Sequence, residues 1–137
     1  MKKDIPQPKV SHLAIAVVPR PRPLVPEEIE LWDCYLINLR EEPIQNVLIS
    51  SKGYGEVDGE RLSTTTLRHF FEEIPPRSVH KIEPIQTKLF NITNEYWVSF
   101  NHGDHMYDKK YVFVKGSITD ENFTKVPLVE KRGVMIK

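Results

Sequence analysis

Cysteine is almost missing from this chain. Cys34 is the single one in 137 residues, so no internal disulfide can form. That suits a reducing compartment, and a cytoplasmic location is the expectation. Long apolar runs are missing as well. The longest, "LAIAVV" (Leu13 to Val18), falls far short of the roughly 20 residues of a membrane helix, so no membrane association is expected. It is also too short for a signal-peptide core, and the polar "DIPQP" separates it from the N-terminal lysines. Net charge is the third absence. Nineteen basic residues balance nineteen acidic ones. No overall field therefore steers the chain toward nucleic acid or anionic lipid.

What the chain does have is proline. Eleven prolines and six glycines cut it into short pieces, as in β-sandwich and barrel sequences. The length fits one domain, residues 1–137, able to bury about two-thirds of its unfolded surface. "SHLAIAVV" (Ser11 to Val18) predicts a first strand with apolar residues on both faces. Residues 19–29 form a proline-rich connector, because proline removes donors and fixes φ. "ELWDCYLINL" (Glu30 to Leu39) is the most hydrophobic strand. Alternation places Leu31, Tyr35, Ile37 and Leu39 on one face, expected to be the interior. Trp32, Cys34 and Leu36 fall on the other. "REEP" then turns into "IQNVLISS" (Ile44 to Ser51), predicting an antiparallel hairpin. "GYGEVDGE" (Gly53 to Glu60) reads as a glycine-rich loop with a tight turn at Asp58-Gly59.

The next piece is open between two readings. In "STTTLRHFFEEIPP" the residues Leu67, Phe70, Phe71 and Ile74 follow a helical spacing. The threonines and the closing Pro75-Pro76 favour a strand running to a sheet corner. One short helix near residues 64–73 therefore stands as the alternative. "SVHKIEPI" (Ser78 to Ile85), "EYWVSF" (Glu95 to Phe100) and "MYDKKYVFV" (Met106 to Val114) supply further strands. Residues 127–137 are expected to be a loose tail or a last edge strand. About seven or eight strands separated by turns point to an all-β, immunoglobulin-like or related Greek-key sandwich.

"CYLINLREEPIQNVLIS", followed by "EEIPPRSVHKIEPI", resembles many bacterial domains of that architecture. Together with "TLRHFFEEIPP" and "NEYWVSF", these stretches resemble a family of short uncharacterised bacterial proteins, sometimes labelled phenylalanyl-tRNA synthetase alpha subunit. The resemblance covers most of the chain and implies no catalytic residue that transfers. Neither the length nor the neutral charge suits a synthetase catalytic domain holding tRNA.

One stretch concentrates metal-binding residue types: "SFNHGDHMYDKKYVF" (Ser99 to Phe113). A hairpin explains it well. A two-residue turn at His102-Gly103 or at Gly103-Asp104 would put Tyr96, Val98 and Phe100 on one face with Tyr107, Tyr111 and Phe113. The second turn also brings His102 beside His105 with Asp104 close by, a set that could ligate zinc or another divalent ion. Other motifs are weaker. "GYGEVDG" lacks the helix that a dinucleotide fingerprint needs. No GxSxG elbow occurs, and Cys34 lies inside an apolar strand, so nucleophilic catalysis has no support. Arg20, Pro23 and Pro26 match a ligand for aromatic grooves, with a rigid connector as the simpler reading.

The expected function is a non-enzymatic interaction or structural module without a cofactor. Trp32, Cys34 and Leu36 are its candidate interface, since that second apolar face needs a cover. The proline connector, the C-terminal tail or a second copy in a homodimer could supply it. The alternative is a metal- or ligand-binding protein, as an enzyme or otherwise, using His102, Asp104 and His105.

Overall fold

The apolar, β-branched and aromatic runs become strands in the computed structural model, which describes residues 9–21 and 29–137. There are ten: β1 (Leu13–Pro19), β2 (Leu31–Asn38), β3 (Ile44–Val57), β4 (Glu60–Ser63), β5 (Leu67–Ile74), β6 (Ser78–Gln86), β7 (Thr93–His102), β8 (His105–Phe113), β9 (Thr124–Val126) and β10 (Lys131–Ile136). Two short 3-10 turns, Thr87–Asn91 and Asp120–Asn122, are the helical elements among the described residues. One antiparallel sheet has the order β6-β2-β1-β10-β9. The other runs β4-β3-β7-β8, with β5 continuing the edge of β3 beyond β4. The two pack face to face as an all-β sandwich. Among the described residues, no helix is long and apolar enough to cross a membrane.

Several expectations change. Residues 64–73 hold strand β5 and no helix, and Pro75-Pro76 lie where the chain passes from the second sheet to the first. Strands β2 and β3 do not form a hairpin. Both edges of β2 are taken by β1 and β6, so "REEP" carries the chain across to the opposite sheet. Strand β3 continues through Gly53–Val57, where a loop was expected, because Gly53 and Gly55 lie against Ile92 with no side chain in the way. The turn itself falls at Asp58-Gly59, whose φ values of 53° and 81° are both positive, as a type I′ turn requires. The tail is neither loose nor an edge. Strand β10 lies between β1 and β9, held by Val134 and Ile136 in the main core. The ten strands exceed the expected seven or eight because β4 is wholly exposed and β9 has three residues, so neither carries an apolar signal.

The faces of β2 are the reverse of the expectation. Cys34 and Leu36 are fully buried between the sheets, and Trp32 packs edge-on against Phe90 and Phe123, with centroids 5.0 and 5.7 Å away. Tyr35, Ile37 and Leu39 point outward instead. The side-chain fit accompanies the inversion: the bulky Trp32 packs against Phe90 and Phe123, while the small Ala14 and Ala16 of β1 share the outer face with Tyr35 and Ile37. Val126 and Val129 pack on that outer face. It is thus covered from within by the chain around β9.

Two β-bulges set which residues reach the interior. Ile44, Val47 and Ile49 all enter the core although their spacing breaks strict alternation. One extra residue in β3 between Gln45 and Leu48 resolves this, with Asn46 at φ 50°. In β6 the extra residue is Ile82, because Cys34 pairs with Glu83 while Tyr35 pairs with Lys81. Ile82 and Ile85 then both join the core. Between them, Glu83 is half-buried and Pro84 is exposed.

Pro19 ends β1, and Arg20 follows it as an anchor. Its guanidinium donates two hydrogen bonds to the Asp33 carboxylate, at 2.7 and 3.0 Å. Residues 22–28 of the connector, including Pro23 and Pro26, lie outside the described residues.

Candidate functional site

Strand register decides the geometry of the hairpin tip. Strands β7 and β8 pair with His102 opposite His105, leaving Gly103-Asp104 as the two-residue turn. Gly103 takes φ 61°, the positive value that the first turn position of type II′ demands. Tyr96, Val98, Phe100, Tyr111 and Phe113 are buried on one face, and Phe100 stacks on Tyr107 at 5.3 Å. That is the aromatic inner face expected from the sequence.

The metal set is not assembled. His102 Nε2 lies 2.7 Å from a Glu42 carboxylate oxygen in the β2–β3 connection. His105 and Asp104 are exposed. Among the described residues no group of three His, Cys, Asp or Glu side chains could hold a metal ion. Of the Trp32, Cys34 and Leu36 set, Cys34 and Leu36 are fully buried within the chain, and Trp32 is half-buried against Phe90 and Phe123. Burial also pushes the Cys34 thiol far above its ordinary range, which leaves it un-ionised and poorly nucleophilic.

A polar cluster unsuspected from the sequence lies at one edge of the sandwich. The Ile82 bulge turns Glu83 of β6 inward, opposite Cys34, toward the second sheet. Three residues of that sheet converge on its carboxylate. Ser51 Oγ of β3 donates at 2.7 Å and His69 Nε2 of β5 lies 2.7 Å away, both on Oε1. The Tyr96 hydroxyl of β7 donates to Oε2 at 3.4 Å. Burial, with Cys34 and Glu83 nearby, holds the Tyr96 phenol well above its ordinary range, so it remains a donor. Glu83 stands at the centre and accepts from both Ser51 and His69. A hydrolytic triad would need His69 between the other two, so no activated serine results. Ser51, Glu83 and Tyr96 line a cleft of about 320 Å³. Ser51, His69 and Tyr96 are 32, 14 and 13 residues from Glu83 in sequence. No local motif could have announced them; the broken alternation of "SVHKIEPI" was the one available signal.

The outer face of the second sheet carries the largest exposed apolar side chains that are neighbours in register. Leu48 of β3 pairs with Phe70 of β5 on one side and Ser99 of β7 on the other. Trp97 is two residues from Ser99 and shares its face. Phe70, Trp97 and Leu48 are 62%, 46% and 39% exposed. Basic groups flank them. Lys110 lies over the Trp97 ring at 4.8 Å, and Arg68 pairs with Ser50 in the same row as Trp97. No protein-family model matches the chain, and no curated protein matches it.

Proposed function

We propose that this protein is a non-enzymatic β-sandwich module that binds a protein partner through the outer face of its second sheet, a second copy being the simplest partner. The observation that carries the reading is the contiguous Phe70–Leu48–Trp97 surface. Phe70 beside Leu48, with Trp97 diagonal to Leu48 on the same sheet face, is costly to leave wet, at about 25 cal/mol per Å² of apolar area. Tryptophan with flanking arginine and lysine is also the composition favoured where interfaces concentrate their energy. The same proposal includes an immunoglobulin-like class, supported by the order β1-β2-β6 facing β4-β3-β7-β8. It includes membership of the bacterial family that the sequence resembles, and a cytoplasmic site of action, supported by one unpaired thiol.

Sedimentation velocity tests it. Wild type should form a dimer at micromolar concentration, and Phe70→Lys together with Trp97→Ala should give a monomer with an unchanged circular dichroism spectrum. A wild type that stays monomeric at high micromolar concentration would remove self-association from the reading.

A further inference from the structure

We propose that the cleft beside Glu83 is a binding site for a small molecule bearing a primary ammonium group. The site lies at the sandwich edge, away from the Phe70–Leu48–Trp97 face. Its first support is the bulge itself. Without the extra residue Ile82, alternation from Lys81 would not bring both Ile82 and Glu83 to the inner side. Bulges commonly re-aim a side chain next to a site, and here the side chain aimed inward is a carboxylate. Burying a charge is unfavourable unless donors surround it.

The second support is the uneven supply of those donors. An ionised carboxylate offers about four acceptor positions. Oε1 has two short donors, Ser51 and His69, each at 2.7 Å. Oε2 has only the Tyr96 hydroxyl, at 3.4 Å. The side chain is 12% exposed, so bulk water reaches it little. Oε2 is therefore the less well supplied of the two oxygens, and Glu83 and Tyr96 both line the cleft.

The cleft supplies the remaining selectivity. Its volume of about 320 Å³ is at the small end for ligand pockets, which suits a head group with a short chain. Leu67, Ile85 and Leu89 offer apolar contact to methylene groups, and two lysines stand at the same cleft, Lys88 and Lys52, the latter 4.0 Å from the Glu95 carboxylate. An ammonium group gives three donors, enough for Oε2 and a neighbouring acceptor. A carboxylate at the far end of the ligand would complement Lys88. The fitting class is a short amine, with an ω-amino acid as the best case.

The test is an NMR titration of amide shifts with 4-aminobutyrate, butylamine and butyrate. Saturable shifts at Ser51, Glu83 and Tyr96 are expected with both amines and absent with butyrate. Glu83→Gln keeps an acceptor for Ser51 and His69 and should weaken amine binding at least tenfold. If that variant fails to fold, Leu67→Lys decides, because Leu67 is half exposed and the clasp on Glu83 does not use it. The introduced chain should block the cleft and abolish the shifts. No saturable shift with either amine up to tens of millimolar, equal binding of butyrate, or undiminished binding in a folded Glu83→Gln or Leu67→Lys variant would each overturn the proposal.

Discussion

Gly133 shows how much one residue can decide. In β10 it lies against β1 so closely that an added Cβ would collide with the Val17 carbonyl oxygen and crowd Val18. Backbone cannot yield there without breaking the pairing of β1 with β10, so Gly133→Ala should destabilise by about 2–3 kcal/mol, measured by urea denaturation. Asp33 makes a second test. Burial opposes its ionisation, but the Arg20 hydrogen bonds and the charges of Arg20 and Lys81 prevail and hold its carboxyl below the usual range. The folded state therefore keeps this carboxylate ionised at pH values where the unfolded chain, near 3.9, has already taken up the proton. The stabilisation is complete above about pH 4 and fades as pH falls through the lower, folded value. Arg20→Ala should cost about 1–2 kcal/mol at pH 7, a modest figure because Arg20 is partly exposed and screened. The gap between wild type and variant should narrow in acid, and a gap independent of pH would exclude this role for Asp33. The hairpin aromatics were legible from sequence alternation alone. Glu83 was not, because its meaning depends on residues from three other strands.

Among elements, the hairpin β7–β8 was readable because turn chemistry and parity agree on it. A glycine at positive φ and an aromatic set on one face admit few registers. The bulged strands β3 and β6 were harder, since one extra residue shifts every later side chain to the other face. Asn46 holds the β3 bulge at φ 50°, a conformation that asparagine tolerates and β-branched residues resist. In thermal melts Asn46→Val should cost about 1–2 kcal/mol, and Asn46→Gly should be neutral or slightly stabilising. At the hairpin tip, His102→Ala with His105→Ala should change stability by under about 1 kcal/mol. The His102–Glu42 contact is a surface pair. Tight, stoichiometric zinc that disappears in this double variant would contradict the structural role given to the turn.

For the whole molecule, the closing strand matters most. Strand β10 pairs with β1, and the Tyr111 hydroxyl of β8 donates to the Leu13 carbonyl at 2.8 Å, so the last third of the chain secures the first strand. Deleting residues 131–137 should therefore abolish the folded state, seen as loss of dispersed amide signals in an NMR spectrum. A truncated chain that stayed folded would show that β2 and the Tyr111 hydrogen bond hold β1 without β10. Hydrogen exchange should rank the strands in the same way. Amides of β1, β3 and β7, paired on both edges, should open only with global unfolding, and those of β4 and β9 should exchange fastest.

The class of the fold is legible in the residue pattern alone. Short apolar runs divided by prolines can bury themselves only as stacked sheets, and the Asp58-Gly59 and Gly103 turns follow from local φ preferences. That pattern also determined that β2 is apolar on both faces, because alternation is a local property of the strand. Which face meets the other sheet was decided by the tertiary structure, through the fit of Trp32 between Phe90 and Phe123 and the cover of Ala14 and Ala16 by Val126 and Val129. The same holds for the partner of β3, the inner place of β10 and the gathering of Ser51, His69 and Tyr96 on Glu83. Each depends on contacts between residues distant in the chain, and no periodicity within one strand encodes its distant partners.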